Sequence, residues 1–197
     1  MPIPFRDAED VDVLGAAAFL KILPAPGGGG FLGALFLINT RGEPLEFVYN
    51  QVETPSAFLW RPADLRRHAE RTLATSLMSL CDRTPRLLLC LADEVGAELF
   101  GQDVRVAVPV GRIGQALSPA AATPATALAE PASVSAGSDS EMAEPLHLFW
   151  YPAPPIEDSP ERHIFDRLRL RHLLLEPFER AARGLQEVYL DEPEEPA

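Results

Sequence analysis

Residues 14–52 read LGAAAFLKIL, PAPGGGG, FLGALFLIN, TRGE and PLEFVYNQV in five consecutive blocks, and this stretch decides the fold. The first and third blocks are short and apolar, and the fifth alternates apolar with polar residues, as strands do. The second block is rich in proline and glycine and the fourth reads as a turn, so both interrupt regular structure. We therefore predict three antiparallel strands in a meander, the third exposed on one face.

The following part of the chain changes to the period of a helix. Over residues 62–81 leucine and alanine recur every three or four positions, and a proline stands where the first helical turn accepts one. Residues 86–92 (RLLLCLA) form a continuous apolar run, typical of a strand covered on both faces. A short helix over residues 95–100 and a strand over residues 104–110 complete a βββαβαβ order. The predicted fold class is α/β (α+β), with a mixed sheet and helices packed on it.

Composition divides the rest of the chain. Residues 116–146 are rich in Ala, Pro, Ser and Thr, with little apolar bulk to bury, and we predict a disordered linker. A strand over residues 146–151 and two helices over 160–175 and 177–190 follow. The expected organisation is an acidic tail (1–12), an α/β core (13–115), the linker (116–146), a C-terminal unit of strand and helices (147–190) and a second acidic tail (191–197). The C-terminal unit is too small to bury a core alone, so we expect it to pack on the first domain.

The charge of the chain lies mostly outside the predicted domains. Of the 197 residues, 17 are basic and 29 acidic, a net charge of −12. The two tails and the linker carry one base against twelve acids, whereas residues 13–115 carry ten of each sign. The predicted core is therefore nearly neutral. Acidic tails favour solubility and disfavour indiscriminate binding of nucleic acid.

Several protein classes are excluded by the sequence. No apolar run approaches the ~20 residues of a spanning helix, and residues 1–7 do not resemble a secretory signal, so we expect a cytoplasmic protein with no membrane partner. Cys81 and Cys90 stand in apolar segments with no further thiols, so we interpret both as reduced packing residues. His163 and His172 are nine residues apart and would face opposite sides of one helix, which excludes a shared metal.

Phosphate-binding and nucleophile motifs are also missing. The four glycines at 27–30 precede a predicted strand and fit neither the G-x-x-x-x-G-K-[ST] nor the G-x-G-x-x-G pattern. No serine stands in a G-x-S-x-G elbow. We therefore predict no cofactor and no metal from motifs alone.

The order of elements over residues 12–112 loosely resembles the RNase H-like fold. In that family, acids on the first strand, near the first long helix and at the end of the fourth strand hold two Mg²⁺ ions, which stabilise the attacking and leaving oxygens of a phosphodiester. The resemblance implies Asp93, at the end of the fourth strand, and Asp64 or Glu70, on the helix, as catalytic metal ligands.

The first strand departs from this family pattern. Residues 16–20 supply no acid, and Asp10 and Asp12 come before the strand begins. The same order of elements is also similar to longin and roadblock-like scaffolds, which have no active site. Asp93 and Glu94 are equally explained as a polar pair that ends a strand.

A candidate partner-binding surface surrounds the start of the predicted helix. The segment AFLWRP (57–62) combines Trp60 with Arg61, a pairing enriched in interface hot spots, and Phe58 precedes them. Arg67 and Arg71 lie one turn apart on one helix face. Alternatively, the segment plugs the end of the core and the arginines form a solvated face with Asp64 and Glu70.

These observations favour a non-catalytic accessory or scaffold protein that acts through protein–protein contacts, with Phe58, Trp60, Arg61, Arg67 and Arg71 as the contact residues. The alternative is an RNase H-like nuclease dependent on Mg²⁺, or a degenerate relative that still binds nucleic acid. Nucleic acid is the less favoured partner class, because the arginines of the predicted helices are interleaved with acids. The linker also allows the C-terminal unit to exchange between two copies, giving a homodimer.

Overall fold

A computed structural model describes residues 15–55, 58–115 and 146–190. One six-stranded mixed sheet, in the order β3-β2-β1-β4-β5-β6, carries helices on both faces. The strands are β1 (Ala17–Pro24), β2 (Gly30–Ile38), β3 (Pro44–Glu53), β4 (Leu87–Leu91), β5 (Val110–Gln115) and β6 (Leu146–Tyr151). The helices are α1 (Pro62–Leu80), α2 (Pro160–Leu170) and α3 (Glu176–Leu190). The predicted α/β class is confirmed.

The predicted meander is present. β1 pairs with β2 and β2 with β3, both antiparallel. Gly27 and Gly28 have φ of 79° and 78°, a left-handed conformation that favours glycine, in the loop between β1 and β2. In the next turn the Asn39 side-chain oxygen accepts hydrogen bonds from the backbone N–H groups of Arg41 and Glu43, at 2.9 and 3.0 Å. Both turns therefore follow from the residues that mark them in the sequence.

α1 carries the chain back so that β4 lies parallel to β1. Successive β1 side chains alternate between two cores: Phe19 packs on the side of α2 and α3, and Leu20 on the side of α1. The Leu87–Cys90 part of β4 is fully buried, as the continuous apolar run predicts. Parallel β1 and β4 end at the same edge of the sheet, which we call the carboxyl edge.

The prediction after β4 was wrong in detail. In place of a helix over residues 95–100, a five-residue π-helical turn spans Leu99–Asp103, and its Leu99 and Phe100 are buried against the α1 side. In place of a strand over residues 104–110, β5 begins at Val110. Pro109 lacks an N–H group and cannot donate within a ladder, so the apolar Val106 and Val108 pack beside the core without joining the sheet.

The C-terminal unit completes both the sheet and one core. β6 pairs antiparallel with β5, and Trp150 on β6 meets Phe165 of α2 with ring centroids 5.2 Å apart. Phe178 of α3 contacts Phe19 edge-on at 5.1 Å. This unit is too small to bury a core by itself, and the sheet provides the apolar surface against which it packs.

The predicted linker and both acidic tails lie outside the described residues, apart from Leu146, which begins β6. No helix in the described ranges is both long and apolar enough to cross a membrane.

Candidate functional site

At the carboxyl edge of the sheet, an ion pair joins β1 to the segment that follows β4. The Lys21 Nζ donates to Glu94 Oε1, and the backbone N–H of Ile22 donates to Glu94 Oε2 at 3.4 Å. Each of the two charged side chains is only 12% exposed. Burial raises the pKa of the Glu94 carboxyl above its ordinary value, and the Lys21 ammonium opposes that rise.

The acids implied by the RNase H-like resemblance each have a separate environment. Asp64 binds Arg61 through two hydrogen bonds of 2.6 and 3.2 Å, and Asp93 is exposed. Glu70 is 4% exposed, so its predicted place on a solvated helix face was wrong. Its carboxylate accepts from the Arg66 Nε at 2.8 Å, one turn away on the same helix, and from the backbone N–H of Gly96 at 2.9 Å. The buried Glu70 carboxylate therefore connects α1 to the segment after β4.

The donor set does not fit a pair of Mg²⁺ ions within the described ranges. No three His, Cys, Asp or Glu residues there lie close enough together to hold a metal ion. β1 contributes a cation, Lys21, and no carboxylate. Asp10 and Asp12 lie outside the described residues.

Two residues of this edge were missed by sequence reasoning. Lys21 is the single charge within the apolar block of residues 14–23 and the only lysine of the chain, which is a signal that could have identified it. Arg112 on β5 donates to the carbonyl oxygens of Ala92 and Val95, at 3.2 and 2.8 Å. Its role depends on the start of β5 at Val110, which the sequence pattern did not reveal.

A cavity of about 770 Å³ opens at the carboxyl edge, between the sheet and α3. Most of its wall is apolar, and four polar side chains reach it. The lining residues are Lys21, Leu91, Ala92, Asp93, Ile113, Gly114, Leu146, His147, Phe149, Leu175, Phe178, Glu179 and Ala182.

The predicted partner-binding residues are all exposed, on the first half of α1 and in the residues just before it. Phe58, Leu59 and Trp60 are 92%, 80% and 40% exposed, so the segment does not plug the core. Arg61 is exposed and bound to Asp64. We call residues 58–60 the apolar tip.

A recess of about 320 Å³ adjoins this tip and brings three of the predicted residues together. Trp60, Arg67 and Arg71 line it, with Asp64, His68 and Asp103. Arg67 binds Asp103 at 2.7 Å and Glu98 at 2.8 Å, and its guanidinium lowers the pKa of the Asp103 carboxyl. The Trp60 and His68 rings lie 5.6 Å apart. The structure thus gathers Trp60, Arg67 and Arg71 into one surface, with Phe58 beside it in the chain.

Comparisons by sequence found no relative: no protein-family model and no curated protein matches. Among solved structures, the chain is similar to endonuclease V from Streptomyces avermitilis, with a TM-score of 0.54 and 12% identity, over 88% of this chain and 82% of that one.

Two further similarities are weaker. An endonuclease V from Ciona intestinalis, in complex with DNA containing an inosine, matches with a TM-score of 0.40 and 8% identity, over 53% of this chain and 47% of that one. The chain therefore spans about half the length of this relative. Marinitoga piezophila Argonaute matches with a TM-score of 0.41 and 8% identity, over 89% of this chain and 30% of that one. At these identities the comparison shows the fold alone: the chain has an RNase H-like fold that resembles endonuclease V.

Proposed function

We propose that this chain is a non-catalytic protein with an RNase H-like fold that acts through protein–protein contacts. The observation that carries the proposal is the apolar tip, whose Phe58 and Leu59 side chains are 92% and 80% exposed and whose Trp60 lines one recess with Arg67 and Arg71. Exposed aromatic residues next to arginine are the composition of interface hot spots. Side chains as exposed as those of Phe58 and Leu59 contribute little to the core of their own chain.

The charges at the carboxyl edge of the sheet are unsuited to two-metal catalysis. Two-metal hydrolysis needs several carboxylates converging on the ions, including one from the first strand in the family pattern. In this chain the charged residue of β1 is Lys21, whose ammonium already neutralises Glu94. A cation at this point repels a divalent ion and occupies the carboxylate that would bind it.

The interface is tested by capture and reconstitution. The full chain is immobilised and exposed to an extract of its own cells, and a retained protein is purified and titrated calorimetrically against three forms of the chain. We expect the double variant Phe58→Ser with Trp60→Ala to bind more than roughly tenfold weaker than the wild type. Ile156→Ser removes an apolar side chain that is 80% exposed in the loop before α2, and serves as the matched control with unchanged affinity.

Equal affinity for the wild type and both variants would overturn the assignment of the apolar tip. The extracts are varied in salt and growth phase. If the wild-type chain retains no protein whose binding depends on the apolar tip, protein contacts are not its function.

The second candidate is an RNase H-like nuclease dependent on Mg²⁺, or a degenerate relative that binds nucleic acid. The structural similarity to endonuclease V favours it. Incubation of the purified chain with single- and double-stranded DNA and RNA, with Mg²⁺ or Mn²⁺, distinguishes the two. Cleavage that Asp93→Asn abolishes would replace our proposal with the nuclease, and binding without cleavage would favour the degenerate relative.

A further inference from the structure

The cavity at the carboxyl edge has the size and the wall of a site for a small organic molecule. Pockets for such ligands measure roughly 300 to 1,000 Å³ and combine apolar walls with few polar groups. In this cavity Leu91 and Ile113 belong to the sheet, and Phe178 and Ala182 face them from α3. Ligands of α/β proteins commonly bind at the carboxyl ends of the strands, which is where this cavity opens.

The polar groups of the cavity decide which charge it accepts. Lys21 lines the cavity, but its ammonium is paired with Glu94, so these two charges cancel. The carboxylates of Asp93 and Glu179 remain. Asp93 is exposed, and Glu179 forms a 3.9 Å ion pair with Arg183 in which the side chains are 71% and 72% exposed, so water screens the pair and Glu179 still contributes negative charge. His147, which is exposed, is the other titratable lining residue.

The uncancelled charge of the cavity is therefore negative. A ligand that complements the cavity has an apolar body for the wall between the sheet and α3, and a positive group for the two carboxylates.

We propose that this cavity binds an apolar organic molecule that carries a cationic amino group. The body packs against Ile113 and Phe178, and the ammonium lies near Asp93 and Glu179. This site is separate from the apolar tip, and the proposal stands independently of the proposed function.

Three naphthalene probes of similar size test the proposal: 1-naphthylmethylamine, 1-naphthylmethanol and 1-naphthaleneacetate, a cation, a neutral molecule and an anion. Each is titrated calorimetrically into the full chain at pH 7. We expect the amine to bind roughly tenfold tighter than the anion, because two carboxylates attract the first and repel the second. The alcohol should fall between them.

Two sets of variants locate the binding. Ala182→Trp fills the cavity from α3 and should abolish binding of the amine, whereas Gln186→Trp, at an exposed position one turn further along α3, should not change it. The pair Asp93→Asn with Glu179→Gln keeps the cavity and should bring the affinities for amine and anion together. Since both of these residues are exposed, the second set remains informative even if the tryptophan disturbs the fold.

Each other outcome overturns the proposal. No binding of the amine, equal binding of amine and anion by the wild type, or a preference that survives the loss of both carboxylates rejects the cationic class. Unchanged binding by a folded Ala182→Trp variant rejects the cavity as the site.

Discussion

Glu70, on α1, accepts a hydrogen bond of 2.9 Å from the backbone N–H of Gly96, which lies in the segment after β4. The same carboxylate binds Arg66 at 2.8 Å, and the Arg66 guanidinium donates to the Asp93 carbonyl oxygen. One buried side chain therefore connects the middle of α1 to the segment that carries Asp93 and Glu94.

Replacement of Glu70 by alanine leaves the backbone N–H of Gly96 and one donor of Arg66 without their acceptor. We expect Glu70→Ala to lower the free energy of unfolding by about 2 kcal/mol, measured by urea denaturation. Glu187→Ala, at an exposed position of α3, is the control and should change it by less than about 0.5 kcal/mol. Equal stabilities for these two variants would show that the contact to Gly96 contributes nothing.

An acid placed on β1 tests what Lys21 does to metal binding. Lys21→Asp removes the cation beside Glu94 and puts a carboxylate in its place, near Asp93 on the same edge. A ligand that binds the native state raises its melting temperature, so we expect millimolar Mg²⁺ or Mn²⁺ to raise the Tm of this variant by a few degrees, about 3 °C. The wild type should not respond.

The control for this metal response is Lys21→Asp combined with Glu94→Gln, which removes one of the carboxylates again and should lose the shift. A wild-type shift that disappears in Asp93→Asn would contradict the prediction and support the Mg²⁺-dependent alternative.

The raised pKa of Glu94 predicts how stability depends on pH. A carboxyl whose pKa is higher in the folded state binds more protons there than in the unfolded chain, once the pH exceeds the ordinary value of 4.5. Its contribution to the free energy of unfolding therefore falls as the pH rises from below 4.5 to above the raised value. Urea denaturation from pH 4 to pH 8 should show the stability of the wild type falling relative to Glu94→Gln. An unchanged or rising difference would be inconsistent with a raised pKa.

The C-terminal unit and the apolar tip offer a direct contrast between two phenylalanines. Phe178 is 2% exposed and contacts Phe19, so Phe178→Ala should cost roughly 3 to 5 kcal/mol of stability. Phe58→Ser should cost less than about 0.5 kcal/mol, because this ring lies in solvent. Thermal or chemical unfolding of both variants measures the difference. A small effect of Phe178→Ala would mean that α3 contributes little to the fold.

The elements that the sequence predicted correctly are those whose pattern is local. The meander is marked by prolines and glycines, and α1 by leucines at a helical period, so each could be recognised without its neighbours. The C-terminal strand and helices were recognised for the same reason, although α2 ends at Leu170, five residues before its predicted end, and α3 begins at Glu176. Leu99 and Phe100 are buried by contacts with the α1 side, and the bonding of a π-helical turn leaves no periodic signature over five residues.

The candidate site was less predictable because its contacts join distant parts of the chain. Lys21 and Glu94 are 73 residues apart, and their pairing depends on the parallel alignment of β1 with β4. The sequence suggested that Glu70 faces solvent, since arginines surround it. In the structure its side chain is buried and accepts a hydrogen bond from the backbone N–H of Gly96. For the predicted partner-binding set, the recess unites Trp60, Arg67 and Arg71 because all three lie within the first three turns of α1 or just before it.

The pairing of Gln115, the last residue of β5, with Leu146, the first of β6, has a practical consequence. Because adjacent strands are only ~4.8 Å apart, Gln115 and Leu146 are neighbours across the sheet although 30 residues separate them in the chain. A break in the chain between residues 116 and 145 removes none of the residues that pair β5 with β6. Residues 1–115 and 146–197 are therefore natural halves for a split reporter, in which reassembly of the sheet signals that two fused proteins have met.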